Sequence, residues 1–98
     1  MLDDYDGAYK DLKSSLHILI QSLGESHIEV ADVLSGLGDV CVKQFVEGRG
    51  ADAGKLEEGK KFYTRARQIC IDRLGAAHTK VQQMDSLLFI ADNYAALM

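Results

Sequence analysis

The sequence predicts an all-α fold of four antiparallel helices, and three observations predict it. Apolar residues recur at steps of three and four along most of the chain, the spacing that lines one face of a helix. No proline occurs among the 98 residues to interrupt that spacing. The phrase Leu23-Gly24-Glu25-Ser26-His27-Ile28-Glu29-Val30 is echoed by Leu74-Gly75-Ala76-Ala77-His78-Thr79-Lys80-Val81, 51 residues further on. Self-similarity at a fixed offset marks stacked supersecondary units, each needing its neighbour to bury an apolar face.

The first helix is expected over about residues 4–23, with Tyr5, Ala8, Tyr9, Leu12, Leu16, Leu19 and Leu23 on one stripe. Gly24 follows, the residue that most easily takes the left-handed conformation closing a helix. The second is expected over about 27–45: Ser26 with Glu29 forms a capping box, and Val30, Ala31, Leu34, Leu37, Val40 and Cys41 keep helical spacing. Gly36 and Gly38 each cost about 1 kcal/mol against alanine inside a helix, so they point to a neighbour packed too close for a Cβ. The period fails through Glu47-Gly48-Arg49-Gly50-Ala51-Asp52-Ala53-Gly54, which reads as a flexible loop at 45–54. A third helix follows at about 55–74, carrying Leu56, Phe62, Tyr63, Ala66, Ile69, Cys70 and Leu74 and stopping at Gly75. Thr79 with Gln82 offers a second capping pair for the last helix, about 79–96, with Val81, Met84, Leu87, Leu88, Ala91, Tyr94 and Ala95 on its stripe. Connections of three to four residues hold consecutive helices antiparallel.

These residues resemble the tetratricopeptide repeats, in particular the long repeats of the kinesin light chain type, over nearly the whole chain. The matching positions are Tyr5-x-x-Ala8, Leu12-x-x-Ser15-Leu16-x-Ile18, and Leu23-Gly24-x-x-His27-x-x-Val30-Ala31-x-x-Leu34-x-x-Leu37-x-x-Val40-Cys41. The second pass gives Leu56-x-x-Gly59, Tyr63-x-x-Ala66-Arg67-x-Ile69 and Leu74-Gly75-x-x-His78-x-x-Val81. The resemblance implies helical hairpins stacked as a fragment of a right-handed α-solenoid, with Ala31, Gly38, Gly59 and Ala66 at the close contacts. The family's period is about 42 residues in this form, so the loop is left to absorb about nine extra residues, which closure entropy tolerates. The chain also departs from the pattern. Ile28 and Thr79 replace the proline after the histidine, and Gly36 and Leu87 stand where the family has its peptide-binding asparagine. Asp85 and Phe89 stand in the last helix where a leucine and an alanine belong, and a register shifted by two residues matches Ile90-Ala91-x-x-Tyr94 instead.

The phase of the repeat places one whole repeat between two half repeats, with neither end capped. Leu2, Ile18 and Ile20 on the first helix, and Ile90, Leu97 and Met98 on the last, are therefore the residues expected to be covered by another chain. Two origins fit: a self-associating unit, by docked ends or helices exchanged through the loop, or a piece of a longer scaffold of a cytoskeletal or transport complex.

Composition excludes several classes of function. No apolar run approaches the roughly 18 residues that cross a bilayer, and the acidic start lacks the order of a signal peptide, so a cytoplasmic protein without membrane insertion is expected. Cys41 and Cys70 lie on apolar stripes without CxxC spacing, as reduced buried thiols do. Across residues 1–44, eight acidic side chains oppose three basic ones, whereas residues 55–75 carry six basic against three acidic. The overall charge of −4, and the lack of exposed aromatics among the basic residues, argue against nucleic acid. His17, His27 and His78 have no metal-binding spacing, and two of them sit at the repeat junction, where a histidine caps or packs. Ser35-Gly36-Leu37-Gly38 lacks the preceding strand and the lysine of a phosphate loop, and the carboxylates are dispersed. No catalytic residue, cofactor or metal is expected. The expected role is that of a protein-interaction module binding a protein or peptide, its concave side lined by Asp32, Ser35, Asp39, Lys43, Asp85, Ser86 and Asp92.

Overall fold

Side-chain acceptors stand at the starts of all four helices, and the chain folds where they place it. The computed structural model describes residues 4–50 and 52–97, with side chains described up to Tyr94 in the last helix. Among them are four helices and no strand: α1 Tyr5–Leu23, α2 Ile28–Glu47, α3 Ala53–Leu74 and α4 Thr79–Leu97. The carboxylate of Asp4 accepts from Gly7 N–H at 2.8 Å, and that of Asp52 from Gly54 N–H at 3.1 Å. Both satisfy donors that a helix start leaves without a partner.

The repeated phrase is one junction built twice. Gly24 and Gly75 take φ of 89° and 93° and donate to Ile20 and Ile71 carbonyls at 2.9 and 3.0 Å, ending α1 and α3. Three residues later the imidazole caps the next helix. Nδ1 of His27 accepts from Glu29 N–H, and Nδ1 of His78 from Lys80 N–H, each at 3.1 Å. The histidines, not Ser26 with Glu29 or Thr79 with Gln82, therefore start α2 and α4, because the ring reaches the second helical N–H from an extended backbone. Replacing His27 with alanine is expected to lower stability by about 0.5–2 kcal/mol, with asparagine retaining most of it. Thermal melts of the two variants check this.

The loop is shorter than the glycines suggest. α2 continues to Glu47 and α3 begins at Ala53, so the connection is residues 48–52. Phe45 and Leu56 are 3% and 2% exposed and pack with Ala91 and Tyr94 in a second core cluster, so apolar anchors on both sides draw the extra residues into helix. Arg49 closes α2 at a φ of 55°, with its N–H on the Val46 carbonyl and that of Gly50 on Phe45, each at 3.0 Å. This is the six-to-one and five-to-two bonding of a Schellman motif.

Cross-helix contacts fix the directions. Tyr5 reaches Glu47 and Asp6 reaches Gln44, so α1 and α2 are antiparallel. Arg73 donates to the Ser26 carbonyl at 2.7 Å, which sets α3 against α2. Lys60 meets Asp92 and Arg67 meets Asp85, which sets α4 against α3. Lys80 meets Asp32 at 3.0 Å near the starts of α4 and α2, so those two run side by side and parallel. The same holds for α1 and α3, where the Tyr9 hydroxyl donates to Glu58 at 3.0 Å.

α2 lies at the centre, packed against both α1 and α3. Its stripe Val30, Ala31, Leu34, Leu37, Cys41 and Phe45 is at most 3% exposed. The tightest approach is between Gly38 and Gly59. A Cβ on either would lie 3.1 Å from the other's carbonyl oxygen, and one on Gly38 would lie 2.6 Å from the Tyr63 ring. Gly36 is different, since a Cβ there would meet only Leu12 methyls at 3.5 Å. Of the two glycines in α2, only Gly38 answers to a close neighbour.

Candidate functional site

α2 and α4 run parallel and leave a furrow between them. Its deepest part is a cavity of about 100 Å³ with Ala31, Ala66, Cys70 and Met84 as floor and Asp32, Ser35, Lys80 and Gln83 on the rim. The furrow continues past Ser35 and Asp39 on α2 and Gln83, Ser86 and Leu87 on α4. These spacings of three and four residues place one face of each helix toward the other. The floor is made of small and flexible apolar groups. The rim carries hydroxyls, an amide, two carboxylates and one ammonium, which is chemistry for hydrogen bonding to an extended backbone.

Electrostatically the furrow is partly satisfied from within. Asp32 is held by the Lys80 ammonium at 3.0 Å, with both side chains still open to solvent. Asp39 accepts from the Tyr63 hydroxyl, a half-buried contact that reaches through from α3. Burial first, and then this hydrogen bond to a carboxylate, push the Tyr63 hydroxyl well above its ordinary value. Burial likewise raises the Cys70 thiol at the furrow floor, keeping it protonated and a poor nucleophile.

The expected lining residues divide into two sets. Asp32, Ser35, Asp39 and Ser86 lie on the furrow. Asp85 and Asp92 instead tie α4 to α3, through Arg67 and through Lys60 at 2.8 Å. The hydrogen bond from Lys60 to Asp92 raises the pKa of the lysine. Lys43 is exposed on α2 beyond the furrow walls. Lys80, Gln83 and Met84 belong to the site although sequence reasoning omitted them. They sit beside the buried Val81, a signal readable only once the rotation of α4 is known.

On the opposite side, α1 and α3 meet through long side chains over α2. Glu58 accepts from the Tyr9 hydroxyl at 3.0 Å and from the Cys41 thiol at 3.3 Å, while Lys55 lies 5.1 Å from the Tyr9 ring centroid. Lys13 lies 5.6 Å from the Phe62 ring, within range of a cation–π contact. Burial, followed by the bond to Glu58, pushes both Tyr9 and Cys41 up to about 12, from 10.0 and 9.0. In the unfolded chain these groups ionise near the ordinary values, so between about pH 9 and 12 it binds fewer protons than the folded chain. Their stabilisation is whole below about pH 9 and declines as pH rises toward 12. Urea titrations at about pH 8 and about pH 10.5 should show the loss, and it should shrink in a Tyr9→Phe, Cys41→Ala double variant.

Of the apolar residues expected at the ends of the bundle, Ile18 and Ile90 are exposed on α1 and α4. The outer side of α1 is polar, with Lys10, Asp11, Ser14, His17 and Gln21 exposed around the single apolar Ile18. Ile20 packs against the core instead. On α4, Phe89 and Ile90 are neighbours and 67% and 45% exposed. Leu2 and the side chains of Leu97 and Met98 lie outside the described residues.

Among the described residues no cluster of His, Cys, Asp and Glu could hold a metal ion, and no helix is long and apolar enough to cross a membrane. The fold and the furrow thus define a four-helix all-α domain with a surface groove. No protein-family model matches the chain, and no curated protein or solved structure gives a significant match.

Proposed function

We propose that this chain is a non-catalytic protein-interaction module of the tetratricopeptide type, which takes an extended segment of a partner protein in the furrow between α2 and α4. The observation that carries this reading is the furrow itself: a small apolar floor under a rim of mixed hydrogen-bonding groups from two parallel helices. The tetratricopeptide reading is supported by the junction built twice around Gly24–His27 and Gly75–His78 and by the alternation of antiparallel neighbours with parallel next neighbours. The reading excludes the family's own peptide clamp, since Gly36 and Leu87 carry no amide. Recognition falls instead to Ser35, Gln83, Ser86 and the free capacity of Asp39.

Selection of peptides from a random display library against the folded domain tests this. Selected peptides are expected to shift the amide resonances of Ser35, Asp39, Gln83 and Ser86, and to lose binding at least tenfold with Gln83→Trp or Ser86→Trp, at exposed positions that leave the core intact. Peptides that bind both variants as well as the parent would place recognition elsewhere and sink the proposal.

A further inference from the structure

The α4 face that carries Phe89 and Ile90 adjoins the furrow, with Ser86 at their shared edge. The internal repeat shows what this face is not. α2 receives α3 through Leu34, Gly38, Cys41 and Phe45, with Gly38 under the Tyr63 ring and Cys41 beside Gly59 and Glu58. Fifty-one residues on, the counterparts of Leu34, Gly38 and Cys41 are Asp85, Phe89 and Asp92. A phenylalanine stands where the close approach needs a glycine, and both aspartates are turned into ion pairs with α3. A helix could therefore not seat on α4 as α3 seats on α2. The outer side of α1 is polar apart from Ile18, a poor apolar match for a head-to-tail contact.

What does match the face is the same face of another copy. A two-fold axis sets identical groups near one another, so an isologous surface must bring no uncompensated charge. Gln82, Ser86, Phe89, Ile90 and Asn93 are uncharged and, apart from the apolar pair, neutral hydrogen-bonding groups. Asp85 and Asp92 at the margins are neutralised within the chain by Arg67 and Lys60. The spacing is also palindromic: about a point between residues 89 and 90, Phe89 falls opposite Ile90 of the other copy and Ser86 opposite its Asn93. That is the register of an antiparallel helix pair.

We infer that two copies of this chain associate through an antiparallel, two-fold α4–α4 contact centred on Phe89 and Ile90. A face one helix wide lies at the small, transient end of protein interfaces, so association is weak and concentration-dependent.

Sedimentation equilibrium from about 1 to about 500 µM is expected to show the mass rising from one chain of 10.8 kDa toward two. Phe89→Asp and Ile90→Asp should each abolish the rise with an unchanged melting curve, and Ile18→Asp on α1 should leave it intact. For the register, oxidation of a mixture of Ser86→Cys and Asn93→Cys chains should give the mixed disulfide ahead of either symmetric one. Cys41 and Cys70 are buried and do not compete. A mass of one chain at every concentration overturns the inference. So does a dimer that survives Phe89→Asp, or one whose preferred cross-link joins Ser86→Cys to itself.

Discussion

Replacing Tyr63 with alanine is expected to cost the fold about 3–5 kcal/mol, a large part of the roughly 5–15 kcal/mol that holds a domain of this size together. Tyr63 is 2% exposed and heads the fully buried side chains in volume. Its ring fills the space over Gly38, and its hydroxyl crosses to Asp39, so truncation removes packing and strands a half-buried carboxylate at once. Tyr63→Phe separates the two effects: it keeps the ring and should cost about 1 kcal/mol, the net worth of one hydrogen bond. Urea denaturation of the three proteins gives both numbers. If alanine cost no more than phenylalanine, the contact between α2 and α3 would not be the centre of the structure.

The second large effect has an opposite partner two residues away. Gly38→Ala should destabilise by about 1–3 kcal/mol even though alanine is the better helix former, because the new methyl would lie 2.6 Å from ring atoms that are themselves packed and 3.1 Å from the Gly59 carbonyl. Gly36→Ala should stabilise by about 0.5–1 kcal/mol, since its methyl meets Leu12 side-chain ends at ordinary contact distance and the backbone gains from losing a glycine. The pair shares a helix and a substitution and differs only in what lies above each position. A melting temperature that moved the same way in both would overturn the assignment of close approach to Gly38 alone.

Reading the chain from its residues located the helices well and their rotations less well. Periodicity identified the stripes of all four helices, Val81, Met84 and Ala91 of α4 included, and the doubled phrase marked both junctions, because those signals are local: a glycine beside a left-handed turn and a histidine within reach of the next N–H act on residues three or four away. The same reading ended α2 near residue 45 and began α3 near 55, because Gly48, Gly50 and Gly54 are loop formers by propensity. Tertiary packing overrode that propensity, as Phe45 and Leu56 reach a core cluster completed by Ala91, a residue far along the chain.

The furrow shows the same division. Asp32, Ser35 and Asp39 were visible as a polar stripe at helical spacing, and they do share a face. Asp85 and Asp92 looked equivalent to them, yet their partners Arg67 and Lys60 sit on α3, and no pattern within α4 announces which of its sides α3 will take. The apolar stripe of α4 says which side meets the core, but polar residues flank it on both edges, so which flank α3 takes depends on the tertiary packing.

Local chemistry thus decided the helical class, the four elements and the junction used twice, since capping and periodicity act over one or two turns. Tertiary structure alone decided that Gly38 rather than Gly36 takes the close contact, that the aspartates of α4 face α3, and that Phe89 and Ile90 remain uncovered. Each of these depends on which side of a helix a distant segment occupies, and that is settled by the packing of whole surfaces against one another.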